Sequence, residues 1–517
     1  MIGRLLSVGG FTLLSRVAGF IRDVLMAAIL GAGALSDAFM VALRLPNHFR
    51  AIFAEGAFTA AFVPRFAGAA TAGGTKPDSP AAHFANDVFA WQLAAQITIL
   101  LVALAAMPFL IDVLAPGFRD NPAQRDLAIT LTRITFPYLA CVAIVTQLSA
   151  MLNAVHRFKA AAAAPVLLNI AMIGTLLVAP IFPTAAHAAA YGVLLAGVLE
   201  LGFVWIAASR AGLSLKLGFP RWTPQMGEFF RGLGAATIGA GSVQIGLFLD
   251  TIIASFLPAG ELTALYYADR INQLPVGIIG VALGTVLLPD MSARLSSADE
   301  RGASISQNRA VIVGLLLTLP CLAAFLIMPD LIMRALFARG AFAVEAADLS
   351  AMVLTAYGIG LPAFILIRCV VPTFYARRDT ATPVRALVLA LIVNVVVKIT
   401  LVCGLSFGAV GLAIGTSLAA WANLGMLVLM ARHRNILVAT TESKRAILPI
   451  AATTMAAAVA FLIAVNVGPE LFASIPWLHE EGTFFLALLL GGTAYFGTVA
   501  IFRRRLPLGS LGRRRAS

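Results

Sequence analysis

The chain has 517 residues, 60% hydrophobic and only 12% charged, with a mean hydropathy of +0.93; soluble domains carry roughly 25% charged residues, so a soluble fold is excluded. The formal net charge of +13 is not a nucleic-acid signature, because the excess Lys and Arg gather in alternate short loops, as in a protein oriented across a bilayer. Four cysteines (Cys141, Cys321, Cys369 and Cys403) without C-x-x-C or metal spacing, scattered histidines and the lack of a nucleotide fingerprint give enzyme chemistry nothing to stand on; no cofactor, no metal and no nucleic-acid partner are expected.

A helical span needs about 20 mostly apolar residues. That criterion predicts about fourteen spans, at 6–30, 36–64, 84–111, 127–154, 162–181, 187–209, 228–257, 262–293, 309–336, 346–375, 383–404, 409–431, 446–467 and 482–502. The apolar start is expected to be retained and not cleaved as a signal peptide, since Arg16 interrupts it and no small-residue cleavage site precedes Arg22. Loops carrying Arg65 and Lys76, Arg157 and Lys159, Arg210 to Arg221, Arg294 to Arg309, Arg377 and Arg378, and Arg432 to Arg445 alternate with basic-poor loops at 31–35, 181–187, 258–262, 404–409 and 469–482. The bias puts the first set and both termini in the cytoplasm and requires an even number of spans. Arg119, Arg125, Arg334 and Arg339 are exceptions; residues 334–345 are expected to form a short interfacial helix outside, with its arginines at membrane-lipid headgroups.

The first two spans hold the unusual chemistry. Residues 15–64 are apolar enough to enter a bilayer, yet carry Arg16, Arg22, Asp23, Asp37, Arg44, Arg50 and Glu55. A charge at the bilayer centre costs about 2.5–3.5 kcal/mol on insertion scales, so these groups must line a wet cavity, pair with one another or sit near the interfaces. Arg16 and Asp23 are seven residues apart and share a helix face, as do Asp37 and Arg44. Two internal ion pairs on those faces would still leave Arg22 and Arg50 in excess, with only Glu55 nearby. Asp269 and Arg270 add charge from the eighth span. Excess arginine suits a diphosphate, which guanidinium groups grip bidentately. His48, the one histidine in this charged stretch, reads as a polar packing residue.

Further along, the chain repeats itself. Residues 30–46 (LGAGALSDAFMVALRLP) resemble 257–275 (LPAGELTALYYADRINQLP), and Asp250 stands where Asp23 stands in the first copy. An even number of spans separates the copies, so the repeat is parallel, with a pseudo-twofold along the membrane normal. The expected architecture is an all-α polytopic membrane protein of about fourteen helices: a lobe at 1–222, a parallel-repeat lobe at 223–440, a central cationic cavity, and two further helices with a basic tail at 441–517. Gly19, Pro46, Pro137, Pro275, Gly277, Gly280, Pro320 and Pro362 mark places where spans can bend. Asp250 and Lys398 lie deep in apolar runs with no neutralising neighbour on their own helices, so a pair across the second lobe is expected.

Long strings in the chain, SRVAGFIRDVLMAAILGAGALSDAF, LPNHFRAIFAEGAFTAAFVP, APGF, YYADR, GVALGTVLLP and FYARRDTATPV, resemble the MurJ (MviN) family of lipid II flippases, within the multidrug/oligosaccharidyl-lipid/polysaccharide exporter superfamily. The resemblance runs through all predicted spans and is densest in the first two. It implies a flippase of the bacterial inner membrane that carries the undecaprenyl-diphosphate disaccharide-peptide head outward by alternating access, driven by membrane potential or an ion gradient. Its partners would be lipid II, membrane lipids and, as candidates, cell-wall synthesis proteins; spans 13–14 would hold the lipid tail. The family's important positions fall here on Ser15, Arg16, Arg22, Asn47, Arg50 and Arg270 as substrate contacts, and on Asp23, Asp37, Glu55 and Asp269 as cavity charges. Gln273 departs from relatives that carry Glu. The alternatives are a flippase for another lipid-linked oligosaccharide, a multidrug exporter of the same superfamily, and a non-transporting cell-wall scaffold.

Overall fold

The computed structural model describes residues 2–50, 56–74, 76, 78–437, 440–475 and 478–506. Among these, all regular structure is helical. The chain forms two compact units, one of Met1–Thr263 with Gly340–Phe342, the other of Ala264–Arg339 with Ala343–Ser517.

The first unit begins with α1 (Ile2–Leu30), α2 (Ala34–Phe49), α3 (Gly56–Gly73), α4 (Pro80–Ala105) and α5 (Met107–Leu114). It continues through α6 (Pro122–Thr135), α7 (Tyr138–Ala154), α8 (Phe158–Leu177), α9 (Ala185–Arg210) and α10 (Pro224–Ala254). Three starts are written as a hydrogen-bonding residue followed by proline. Ser79, Asn121 and Thr223 each accept a backbone N–H three residues on, and Pro80, Pro122 and Pro224 sit where no N–H is needed. In α3, Phe58, Phe62 and Phe66 recur every fourth residue and stack at 5.3 and 5.4 Å, with Phe84 of α4 and Phe229 of α10 closing the cluster. The aromatic spacing of AFTAAFVPRF is therefore a core stripe.

Two glycines explain short motifs. Gly117 of APGF donates its N–H to Ser255 Oγ at 3.1 Å, and a Cβ there would lie 2.2 Å from the Ser255 carbonyl oxygen. Gly340 (φ +59) sits where a Cβ would lie 2.3 Å from the Ala28 carbonyl oxygen, which accepts a hydrogen bond from Ala341 N at 2.7 Å. Both are close backbone approaches that only glycine permits.

In the second unit lie most of α11 (Glu261–Pro275), a π turn at Val276–Gly280, α12 (Val281–Ser296), α13 (Glu300–Ile327) and α14 (Pro329–Phe337). They are followed by α15 (Val344–Tyr375), α16 (Ala381–Ile399), a second π turn at Thr400–Gly404, α17 (Gly408–His433), α18 (Thr441–Leu471) and α19 (His479–Phe502). α18 and α19 form a hairpin in which Gly468 lies beneath Thr483 and Gly491 beneath Phe461, small residues letting helices approach. The hairpin is tied to α13 by Arg309, bonded through Nε and Nη2 to Glu442, and by Tyr495 Oη donating to the Leu316 carbonyl. Asp379, in the turn before α16, accepts from the Thr382 hydroxyl and N–H and pairs with Arg434; these bonds pull its carboxyl down to about 2.

Eleven helical runs among the described residues are long and apolar enough to cross a membrane. The other three expected spans coincide with α1, with α2 together with α3, and with α10, which that criterion does not include; the count of fourteen is not established. The all-helical membrane architecture agrees with the expectation. The interfacial helix needs correcting: it spans Pro329–Phe337, started by Pro329, and 338–343 is loop. Its Arg334 pairs with Asp348 at 2.6 Å and approaches Glu480 at 3.8 Å, while Arg339 approaches Glu481 at 3.5 Å. These arginines therefore fasten the N-terminal end of α19 by way of the acidic pair that opens it.

Candidate functional site

α1 carries four of the expected site residues. Arg16 is exposed. Arg22 and Asp23 are buried, at 6% and 4% exposure, and Arg22 donates to Asp23 Oδ1 through Nε at 3.1 Å and Nη2 at 2.6 Å. The pairing of Asp23 with Arg16 on a shared face is thus corrected: the long Arg22 side chain folds back onto its neighbour. Ser15 gives its backbone oxygen to Asn169 Nδ2 at 3.0 Å, so α8 clasps α1 just before Gly19. Asn169 was not singled out in the sequence, although it is a lone amide in an apolar span.

α2 starts with the residue most changed from expectation. Asp37, 2% exposed, accepts the Gly260 N–H at 2.6 Å on one oxygen, and the Thr263 N–H at 2.9 Å and the Thr263 hydroxyl on the other. Gly260 and Thr263 flank the first turn of α11, whose leading N–H groups have no partner within the helix. Asp37 therefore acts as a cap supplied by another helix, and its predicted pairing with Arg44 is not what the structure shows. Arg44 donates to Thr251 Oγ1 of α10 at 3.1 Å. Buried His48 sits 2.9 Å through Nδ1 from Gln244 Oε1 and against the Phe248 ring at 4.4 Å, a packing role as expected. Pro46 lies inside α2, and Asn47, half-buried, accepts the Arg50 N–H through its backbone oxygen. Arg50 is half-buried at the end of that helix. Glu55 lies outside the described residues. Asp250 is half-buried on α10.

Glu200 is the acidic residue that sequence reasoning missed. It lies at mid-span on α9, 5% exposed. One carboxylate barely lowers the hydropathy of that span, so no periodicity flags it.

In the second unit, Arg270 is exposed on α11, with its guanidinium carbon 5.2 Å from the Tyr266 ring centre and Nε 3.2 Å from the Tyr266 hydroxyl. Tyr266 lies one turn earlier on the same helix, so the contact is the one that i, i+4 spacing allows. Gln273 donates to Asp269 Oδ1 at 3.3 Å, a bond that a carboxylate could not make at neutral pH. Lys398 is 1% exposed on α16, its stem packed over Gly415 of α17, where a Cβ would lie 2.5 Å from the lysine Cγ. The candidate arginines thus divide: Arg22 is buried and paired with Asp23, Arg50 is half-buried, and Arg16 and Arg270 are exposed.

A family model described as "Lipid II flippase MurJ" matches residues 26–478. A "Probable lipid II flippase MurJ" of Rhizobium tropici is 38% identical over 502 residues, covering 96% of this chain and 93% of its own. One of Rhizobium meliloti (strain 1021) is 41% identical over 432 residues, covering 83% and 80%. Among solved structures, the chain is similar to "Lipid II flippase MurJ, inward closed conformation" with a TM-score of 0.80, 22% identity and coverage of 96% and 99%. It is also similar to a multidrug resistance MATE family transporter of the MOP superfamily in its inward-facing conformation, with a TM-score of 0.63, 16% identity and coverage of 83% and 97%. Both likenesses speak to the fold alone.

Proposed function

The chain belongs to the lipid II flippase MurJ family, and from that premise we infer how its own residues carry the flipping of lipid II. It is a multi-pass membrane transporter, not an enzyme, and lipid II is its substrate. The observation that supports the finer reading is the exposure of Arg16 and Arg270, with half-buried Arg50 at the end of α2, on helices that otherwise read as membrane segments. A planar fork with five donors matches phosphate oxygens in pairs, and the undecaprenyl-diphosphate group is the anionic part of lipid II that such forks would grip. Ser15 and Asn47 would add hydrogen bonds to the head. Arg22, held by Asp23, supports the field without direct contact until that pair opens.

The head enters from the cytoplasm, the tail stays in the bilayer beside α18 and α19, and rocking of the two repeat lobes (1–222 and 223–440) exposes the head outside. With both termini in the cytoplasm of the inner membrane, the potential favours outward movement of an anion by about 2.3 kcal/mol per charge per 100 mV. Asp269 and Glu55 tune the cavity charge. Asp250 and Lys398 serve as each other's counter-charge, so the swap Asp250→Lys with Lys398→Asp should recover function that either alanine variant loses.

Arg50→Ala and Arg270→Ala should each fail to complement loss of the native gene while reaching near-normal levels in the membrane. Each should weaken lipid II binding by about tenfold or more, the cost of a lost charge-assisted pair. Normal growth and normal binding in both variants would remove the arginine reading.

A further inference from the structure

Four helix ends of the second unit surround a cavity of about 540 Å³, a volume in the range of small-molecule sites. They are the starts of α13 and α18 and the ends of α15 and α17, where the sequence places its basic loops at 294–309, 377–378 and 432–445. Here the chain passes from α17 to the α18–α19 hairpin. Two carboxylates line the cavity, and both are already matched. Glu300 pairs with Arg377, and Glu442 receives Arg309 Nε and Nη2 on its two oxygens, each at 3.1 Å. Arg301 differs. It lines the same cavity, is exposed, and makes no hydrogen bond or ion pair among the described residues. The side chains of Asn435 and Thr441, also on the wall, are likewise unengaged among the described residues. Asn435 sits at φ +55, a conformation asparagine tolerates. It closes α17 by donating its N–H to the Arg432 carbonyl at 3.0 Å, while Ile436 N donates to that of Ala431 at 3.0 Å.

We propose that this cavity binds a phosphate-bearing polar ligand, with Arg301 gripping the phosphate and Asn435 and Thr441 donating hydrogen bonds to it or to the body that carries it. With Glu300 and Glu442 neutralised, the Arg301 charge is the uncompensated one among the described lining residues, and it favours an anion. A guanidinium presents paired N–H groups that match two phosphate oxygens. The cavity is larger than a phosphate group, so the ligand brings a hydroxylated body as well. Two sources supply that chemistry. One is the headgroup of an anionic glycerophospholipid, within reach because α13, α15, α17 and α18 are long and apolar enough to cross a membrane and end here. The other is a soluble phosphate ester. Either one meets α13 through Arg301, the end of α17 through Asn435 and α18 through Thr441, and so fastens the hairpin to the helices beside it. None of the candidate lipid II contacts lines this cavity.

The test compares the full wild-type chain with Arg301→Gln and with Arg378→Gln, a control that removes the same charge from an exposed residue outside the cavity. For the soluble source, glycerol phosphate is titrated against the protein in a neutral detergent and its dissociation constant measured. For the lipid source, phosphatidylglycerol retained per chain is measured by native mass spectrometry after release from nanodiscs of phosphatidylglycerol and phosphatidylcholine. The wild-type chain should bind at least one probe, Arg301→Gln should bind that probe about tenfold more weakly, and Arg378→Gln should match the wild type. Which probe binds assigns the source. Arg301 has no contact to lose, so its variant should accumulate normally. If it does not, Asn435→Asp, which keeps the left-handed turn and sets a carboxylate against the phosphate, is read on the same terms. The proposal is overturned if the wild type binds neither probe, if Arg301→Gln binds as the wild type does, or if Arg378→Gln weakens binding as much, the result that general attraction to basic loops would give.

Discussion

Asp37 shows how far a charged residue can be from the role its spacing suggests. Seven residues from Arg44, it shares a helix face with that arginine, yet its oxygens are taken by Gly260 and Thr263, more than two hundred residues away in sequence. Local periodicity sees only its own helix, and the competing donors were the unsatisfied N–H groups at the start of another. Replacing Asp37 with alanine leaves those donors buried without an acceptor. We expect a loss of about 2–3 kcal/mol, read as a lower apparent midpoint of thermal unfolding in detergent. Asp37→Asn, which keeps a single carbonyl acceptor, should fall between; an unchanged midpoint for Asp37→Ala would mean the cap contributes nothing. Other residue roles were nearer the surface of the sequence. Tyr266 and Arg270, and Asp269 and Gln273, are one turn apart and interact as that spacing dictates. Glu200 was hidden because a single carboxylate among twenty-six mostly apolar residues leaves the span's hydropathy intact.

At the scale of elements, the apolar runs located the helices, and proline decided where some of them break. Pro137 separates α6 from α7, and Pro275 ends α11 before a π turn, a distortion common at functional sites. Pro320 and Pro362 interrupt nothing. In α15, Trp421 Nε1 of α17 donates to the Ile359 carbonyl at 2.9 Å, three residues before Pro362, and Ser417 Oγ donates to that of Ala356 at 2.7 Å, so α17 brings donors to the backbone of this helix. Sequence cannot supply those donors, since they come from another helix. Loop charge is the element-scale signal that predicts orientation. In a variant without the native cysteines, a cysteine at Ala34 or Ser474 should react with an impermeant thiol reagent added outside the cell, and one at Ala72 should not. Labelling of Ala72 with protection of the other two would invert the topology.

For the molecule as a whole, the motif strings pointed to the family from the sequence, and relatives 38% and 41% identical over most of the chain establish it. The fold by itself would not have separated a lipid-linked substrate from a drug, since a multidrug transporter of the MOP superfamily shares it at 16% identity. In the proposed reading the charge does: arginine on membrane helices suits an anion rather than an organic cation. Lipid II flipping is the central claim, and the most direct measurement is the leaflet location of lipid II in the native host after depletion of this chain. Spheroplasts would be treated from outside with an enzyme that cleaves the lipid-linked diphosphate. The account predicts that lipid II accumulates and becomes inaccessible to that enzyme, and that the wild-type chain, but not Arg50→Ala, restores access. Lipid II that stays accessible while another lipid-linked oligosaccharide accumulates on the cytoplasmic side would contradict it.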